Sequence, residues 1–243
     1  MMNKLWIFGD SYSTYNRERQ ADGVRLSIYS ELANHLNLEE ENNAISGLSS
    51  FEVFGNVLKF LFEYKKGDTI IFQSSLLDRT SYLDKLEHRN LNEHENELFL
   101  VGKNFFLHPQ FYHNNKRELD EFETHKLSKF MKSIDDNLLD YYFKFFIYVK
   151  YIISFLEKSG INFKIILLED KQIRYTSSST MTILNLLDDL NIKNNLIKFN
   201  RGYFLTSSTN YKEEGEYEYH HFSLETIKKY SQEIKENFDE PKI

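Results

Sequence analysis

Two short motifs at opposite ends of the chain carry residue types suited to acyl-transfer chemistry. Near the start, Phe8-Gly9-Asp10-Ser11-Tyr12-Ser13 follows the apolar run Leu5-Trp6-Ile7-Phe8. Such a run reads as a strand buried on both faces, and in an open parallel sheet ligands gather beyond the carboxyl ends of the strands. Ser11 therefore stands where an exposed nucleophile would be placed. The helix start that should follow offers unpaired N–H groups to a developing anion. Gly9 lets the backbone turn sharply, and Asp10 can hydrogen-bond the loop and hold Ser11. Near the other end, Glu218-Tyr219-His220-His221-Phe222-Ser223 lies in a polar stretch before a helical pattern. A serine nucleophile needs a base within hydrogen-bond reach, and that base needs an acceptor to hold its tautomer. Glu218 precedes His221 by three residues, a spacing at which a loop carboxylate can orient the imidazole. His220 is the alternative base, but it would leave Tyr217 in the orienting position, so His221 is favoured.

The elements that must position these residues are readable from hydrophobic periodicity. After the first strand, apolar residues three or four apart predict a helix at about Val24 to Leu36, and Asn42 to Ile45 reads as a short second strand closed by Ser46-Gly47. Ser49 or Ser50 can cap the next helix, whose apolar positions include Phe54, Val57, Leu58, Leu61 and Phe62. Lys66-Gly67-Asp68 turns into Thr69-Ile70-Ile71-Phe72-Gln73, the clearest buried strand. From about Leu83 to Lys126 the periodicity fades, and His88, His94, His108, His113 and His125 accumulate there with Asn and charged residues. This stretch reads as an insertion, part helix and part loop, over one end of the sheet. A helix from about Ile134 to Lys158, a strand from Phe163 to Leu168, a helix from Thr180 to Leu190, a short strand from Leu196 to Phe199 and a helix from Ser223 to Asn237 complete the chain. The expected fold is α/β: a three-layer α/β/α, flavodoxin-like, doubly wound parallel sheet in a single domain over residues 1–243, with 83–126 as the insertion or lid.

With both motifs and their setting in view, the chain resembles the SGNH/GDSL hydrolase family of serine esterases and acylhydrolases. The resemblance covers nearly the whole length apart from the insertion. Gly9-Asp10-Ser11 is similar to the family's first block, which implies Ser11 as nucleophile. Gly47, in Asn43-Ala44-Ile45-Ser46-Gly47, is similar to the second-block glycine, whose N–H would join that of Ser11 in the oxyanion hole. Glu218 and His221 are similar to the last block, usually Asp-x-x-His, with Glu for Asp. The resemblance thus implies a catalytic set of Ser11, Glu218 and His221. The third block departs from the pattern: Ser75 falls at its glycine and Leu77 at its asparagine, an oxyanion donor. Leucine cannot donate, and losing one such donor typically costs ~10²–10³ in rate. Gln73, Ser74, Ser75 and Arg79 are the candidate compensating donors from the same stretch.

Composition narrows the classes. Apolar and aromatic residues make up 41% of 243 residues, with only 9 Gly and 2 Pro, which excludes collagen-like and disordered chains. The formal charge is −7, so the overall basic footprint of a nucleic-acid binder is missing. With no cysteine, disulfides, thiolate metal sites and a cysteine nucleophile are excluded. No His-Glu-x-x-His, phosphate-binding glycine loop or dinucleotide fingerprint occurs, so neither metal nor cofactor is expected. Tyr141 to Leu156 is apolar but is interrupted by Lys144 and Lys150 and falls short of the ~20 residues of a span. No signal peptide is expected either, so a cytoplasmic or otherwise soluble location without membrane contact is anticipated. The expected substrate is a small-molecule or carbohydrate ester, an O-acetyl group being favoured. The rival expectations are an O-acyltransferase using the same triad and a catalytically inactive carbohydrate-binding module of the same fold.

Overall fold

The computed structural model describes residues 2–10, 12–15, 26–45, 48–74, 87–89, 99–101, 138–169, 177–200, 202–206, 222 and 224–238. Its centre is a parallel sheet built from β1 (Lys4–Phe8), β2 (Glu39–Asn42), β3 (Thr69–Gln73), β6 (Asn162–Glu169) and β7 (Phe204–Thr206), ordered β2-β1-β3-β6-β7. Renumbered within the sheet, this is the 2-1-3-4-5 order of a flavodoxin-like doubly wound fold. Each crossover carries a helix because parallel neighbours cannot be joined by a tight turn. These helices are α1 (Ser30–Leu36), α2 (Ser50–Lys59), α3 (Leu138–Lys158) and α4 (Ser177–Asp189), with α5 (Leu224–Phe238) closing the chain.

Strand alternation sorts the core into two layers. Trp6, Phe8, Ile70, Phe72, Phe163, Ile165 and Leu167 face α2, α3 and α4 through residues such as Phe54, Phe145, Val149 and Leu187. Leu5, Ile7, Ile71, Ile166, Leu168 and Leu205 face α1 and α5 through Leu32, Ile227, Tyr230 and Ile234. The three-layer α/β/α architecture therefore follows from apolar strands covered on both faces. Among the described residues no helix is long and apolar enough to cross a membrane.

Several boundaries differ from expectation for identifiable reasons. The second strand is Glu39–Asn42 rather than Asn42 to Ile45, because an edge strand pairs on one side only and tolerates the sequence Glu-Glu-Glu-Asn. Helix α1 starts at Ser30, not near Val24. Ser27 and Ser30 bond locally to the backbone, Ser27 Oγ accepting from the Tyr29 amide and Ser30 Oγ from the Ser27 amide, an alternative to helix for Ser27 to Tyr29. The last strand is Phe204–Thr206, and Leu196 to Phe199 contributes two isolated bridges, from Leu196 to Ile165 and from Phe199 to Gly202. Of the expected insertion, 83–126, only residues 87–89 and 99–101 are described, and the rest lies outside the described residues. Those six are β4 (Glu87–Arg89) and β5 (Phe99–Val101), paired antiparallel with Glu87 opposite Val101. Three-residue strands are too short to show alternation in sequence.

At the amino end of the sheet, Asp68 is a buried structural acceptor. Its carboxylate accepts from the Lys4 amide at 2.9 Å, from Trp6 Nε1 at 2.9 Å and from the Lys65 amide at 3.0 Å. Asp68→Ala strands those donors and is expected to cost about 2–4 kcal/mol, because unsatisfied buried groups pay their full desolvation penalty. Trp6 is the sole tryptophan, so urea unfolding followed by its emission reports this directly. Asp188→Ala, which removes an exposed pair with Lys193, should shift stability by less than about 1 kcal/mol.

Candidate functional site

The direction of the chain reverses between β1 and β3: from β1 it goes out to β2, then returns across β1 to β3. A crevice beyond the carboxyl ends at such a switch point is where open α/β sheets take ligands. The Gly9-Asp10-Ser11 motif leaves β1 at this point. Ser11, Gly47, Ser75, Leu77, Arg79, Glu218, His220 and His221 lie outside the described residues. Asp10 and Tyr12 on either side of Ser11, Leu48 after Gly47, Ser74 before Ser75 and Phe222 after His221 are described, and of these Tyr12 and Phe222 are in ring contact.

Asp10 to Ser13 forms a turn in which the Ser13 amide donates to the Asp10 carbonyl at 3.0 Å. Asp10 is fully buried, and its Oδ1 accepts from the Tyr12 amide at 3.1 Å and from Gln73 Nε2 at 3.1 Å. At the other end of the same amide, Gln73 Oε1 accepts from Ser13 Oγ and from Tyr29 Oη, both at 2.7 Å. An amide oxygen has two lone pairs, so both hydroxyls can be served at once. The two hydroxyls themselves stand 3.2 Å apart. Burial pushes the Tyr29 phenol far above its ordinary range; a hydrogen bond with Ser13 works against this, and the charges of Asp10 and Glu40 add to it. Tyr29 is therefore protonated at any physiological pH and available as a donor.

The neighbouring loop from β2 is tied to the same turn. Asn42 Nδ2 donates to the Ser13 carbonyl at 2.9 Å, and the Ile45 amide donates to the Gly9 carbonyl at 3.0 Å. Ile45 and Gly9 each stand two residues before a candidate oxyanion donor, Gly47 and Ser11. Beyond Gly47, Ser49 opens α2 with a reciprocal capping box: Glu52 Oε2 accepts from the Ser49 amide at 2.9 Å, and Ser49 Oγ accepts from the Glu52 amide. Glu40 accepts from Ser27 Oγ at 2.6 Å and from Ser30 Oγ at 3.0 Å, which anchors the segment carrying Tyr29. Burial, with the charge of Glu40 and a hydrogen bond to it, pushes the Tyr15 phenol up to about 12.

The carboxy-terminal motif meets the amino-terminal one through rings. Tyr12 and Phe222 are both buried, with ring centroids 5.1 Å apart, and Phe222 packs in turn on Tyr230 of α5 at 5.1 Å. Tyr12 follows Ser11 directly, and Phe222 follows His221 directly.

Two expected donors turn out to be internal. Gln73 is fully buried, with its amide on Asp10, Ser13 and Tyr29, so it is a tie within the turn rather than a donor presented to the crevice. Ser74 is likewise buried, its Oγ accepting from the Leu168 amide at 3.2 Å and its own amide bonded to the Ile166 carbonyl. The sequence reading missed Ser13, Tyr29 and Asn42. Strand parity was the available signal for Tyr29: Gln73 shares the face of Ile71, the face covered by α1. Among the described residues, no three His, Asp or Glu side chains gather as a metal site. No protein-family model matches this chain, and no curated protein matches it.

Proposed function

We propose that the protein is a serine-dependent ester hydrolase acting on a small acyl ester, with Ser11 as nucleophile, His221 as base and Glu218 as the group that orients the imidazole. The observation that carries this reading is the Tyr12–Phe222 contact. Two motifs more than 200 residues apart have directly adjacent residues in ring contact, at the switch point of the sheet. The Ile45–Gly9 bond supports it from the other side, because it holds the approaches to Ser11 and Gly47 together.

In this reading His221 accepts the Ser11 hydroxyl proton as Oγ attacks the ester carbonyl. The tetrahedral oxyanion is met by the N–H groups of Ser11 and Gly47. Collapse expels the alcohol, which takes the proton from the imidazolium. A water then gives a proton to His221 and attacks the acyl group, and Ser11 leaves with that proton restored. Glu218 stays ionised throughout and stabilises the imidazolium. With Gln73 and Ser74 used inside the scaffold, Ser75 and Arg79 remain as candidate third donors opposite Leu77. A carbohydrate O-acetyl ester is the substrate class this reading favours.

Hydrolysis of p-nitrophenyl acetate by the wild type but not by Ser11→Ala is the expected result. Equal rates in the two proteins would leave an inactive binding module as the better description. Glu218→Gln is expected to lower turnover by roughly 10²-fold or more with the fold intact, because it removes the charge facing the imidazolium. An undiminished rate would shift the orienting role to another acceptor.

A further inference from the structure

We propose that Gln73 is a positioning residue whose single side-chain amide joins both ends of the Asp10–Ser13 turn and thereby fixes Ser11. The inference rests on the esterase reading above and adds to it a residue that the catalytic motifs do not contain. In sequence Ser11 stands between Asp10 and Tyr12, within the span that the Ser13–Asp10 bond closes. The amide of Gln73 donates to the side chain of the first residue, Asp10, and accepts from the side chain of the last, Ser13. Tyr29 holds the same oxygen from the α1 side. All four side chains are fully buried, so water cannot substitute for a lost partner at low cost. Gly9 admits the arrangement, because a Cβ there would stand 2.1 Å from Ser13 Oγ and 3.1 Å from Gln73 Cβ. Gln73 contacts neither substrate nor reacting atoms in this account. It acts by restricting where the Ser11 hydroxyl can stand, and small misplacements of a reacting group are costly in rate.

The chemistry of this clamp requires a donor and an acceptor on one side chain. Glutamate keeps the shape and loses the donor. In Gln73→Glu a second carboxylate faces Asp10 at hydrogen-bond distance, and two such groups cannot both ionise readily. The pair then binds a shared proton at low pH, the protonated oxygen donating where the amide did. Above the raised apparent pKa of the pair the two charges repel and the turn opens. Among the described residues, Asp10 and Tyr29 are the titratable groups in contact with Gln73, with Glu40 the next charge around Tyr29. Tyr29 is held protonated, so it contributes no limb in the neutral range.

The test is steady-state hydrolysis of p-nitrophenyl acetate across pH by wild type, Gln73→Ala and Gln73→Glu. Gln73→Ala should lower kcat roughly 10–100-fold with KM changed by less than about twofold, the pattern of a lost transition-state alignment. Gln73→Glu should gain an alkaline limb in kcat inside the pH range where the wild type is flat. Should Gln73→Ala not fold, the isosteric Gln73→Glu decides alone. An active wild type with unchanged kcat in both variants, a change confined to KM, or a Gln73→Glu profile parallel to wild type would overturn the proposal while leaving the esterase reading standing. An inactive wild type would sink both.

Discussion

His221→Ala is expected to reduce esterase turnover by about 10⁴-fold or more, while His220→Ala leaves it within a few-fold of wild type. Removing the base from a serine–histidine pair typically costs nearly as much as removing the whole set, because the remaining members act only as a unit. The residues differ by one position, and the described neighbour that bears on the proposed assignment is Phe222. Phe222 is buried against Tyr12 and Tyr230, which anchors the chain immediately after His221. Tyr12 is in turn the residue after Ser11. Rates of p-nitrophenyl acetate hydrolysis in the two variants are the measurement. A large loss in His220→Ala with an active His221→Ala would reverse the assignment and place Tyr217, not Glu218, three residues before the base.

Gly9→Ala is expected to abolish most activity and to destabilise the protein by about 2–4 kcal/mol. Glycine is needed here for space. A Cβ at this position would lie 2.1 Å from Ser13 Oγ and 2.6 Å from Ser13 Cβ, closer than any real contact. Ser13 cannot step aside without releasing Gln73, since its Oγ donates to Gln73 Oε1 at 2.7 Å. Overpacking of this kind costs about 1–3 kcal/mol, and leaving buried partners unsatisfied adds about as much again. Denaturant midpoints and kcat measured on the same preparation test both parts. A further change of Ser13→Gly should recover part of the stability, because it removes the two closest atoms. Additive losses in the double variant would mean that the two residues do not compete for the same space.

Much of the fold is legible in the sequence because the core strands are continuously apolar. Leu5 to Phe8, Ile70 to Phe72 and Ile165 to Leu168 are covered on both faces, and that burial demands hydrophobic residues at successive positions. The edges are illegible for the same reason reversed. β2 is Glu-Glu-Glu-Asn, paired only to β1, and it needs no apolar run to form. β7 contributes two apolar residues, Phe204 and Leu205, after a bridge from Phe199 to Gly202 that sequence periodicity does not register. At the candidate site, the hydrogen-bond partners of Asp10 and Ser13 were not readable by type and spacing. Gln73 looks like an exposed donor at a strand end until Asp10, Ser13 and Tyr29 are seen around its amide. Those contacts join residues 44 to 63 positions apart, which no local pattern encodes.

The central claim is that Ser11 is a covalent nucleophile activated by His221. Its most direct measurement is intact-mass and peptide mapping of the protein after reaction with a fluorophosphonate, in wild type, Ser11→Ala and His221→Ala. The account predicts one adduct per chain on the peptide containing Ser11, none in Ser11→Ala, and labelling slowed by orders of magnitude in His221→Ala. A folded wild type that takes no label, or label carried on another residue and retained in Ser11→Ala, would contradict it.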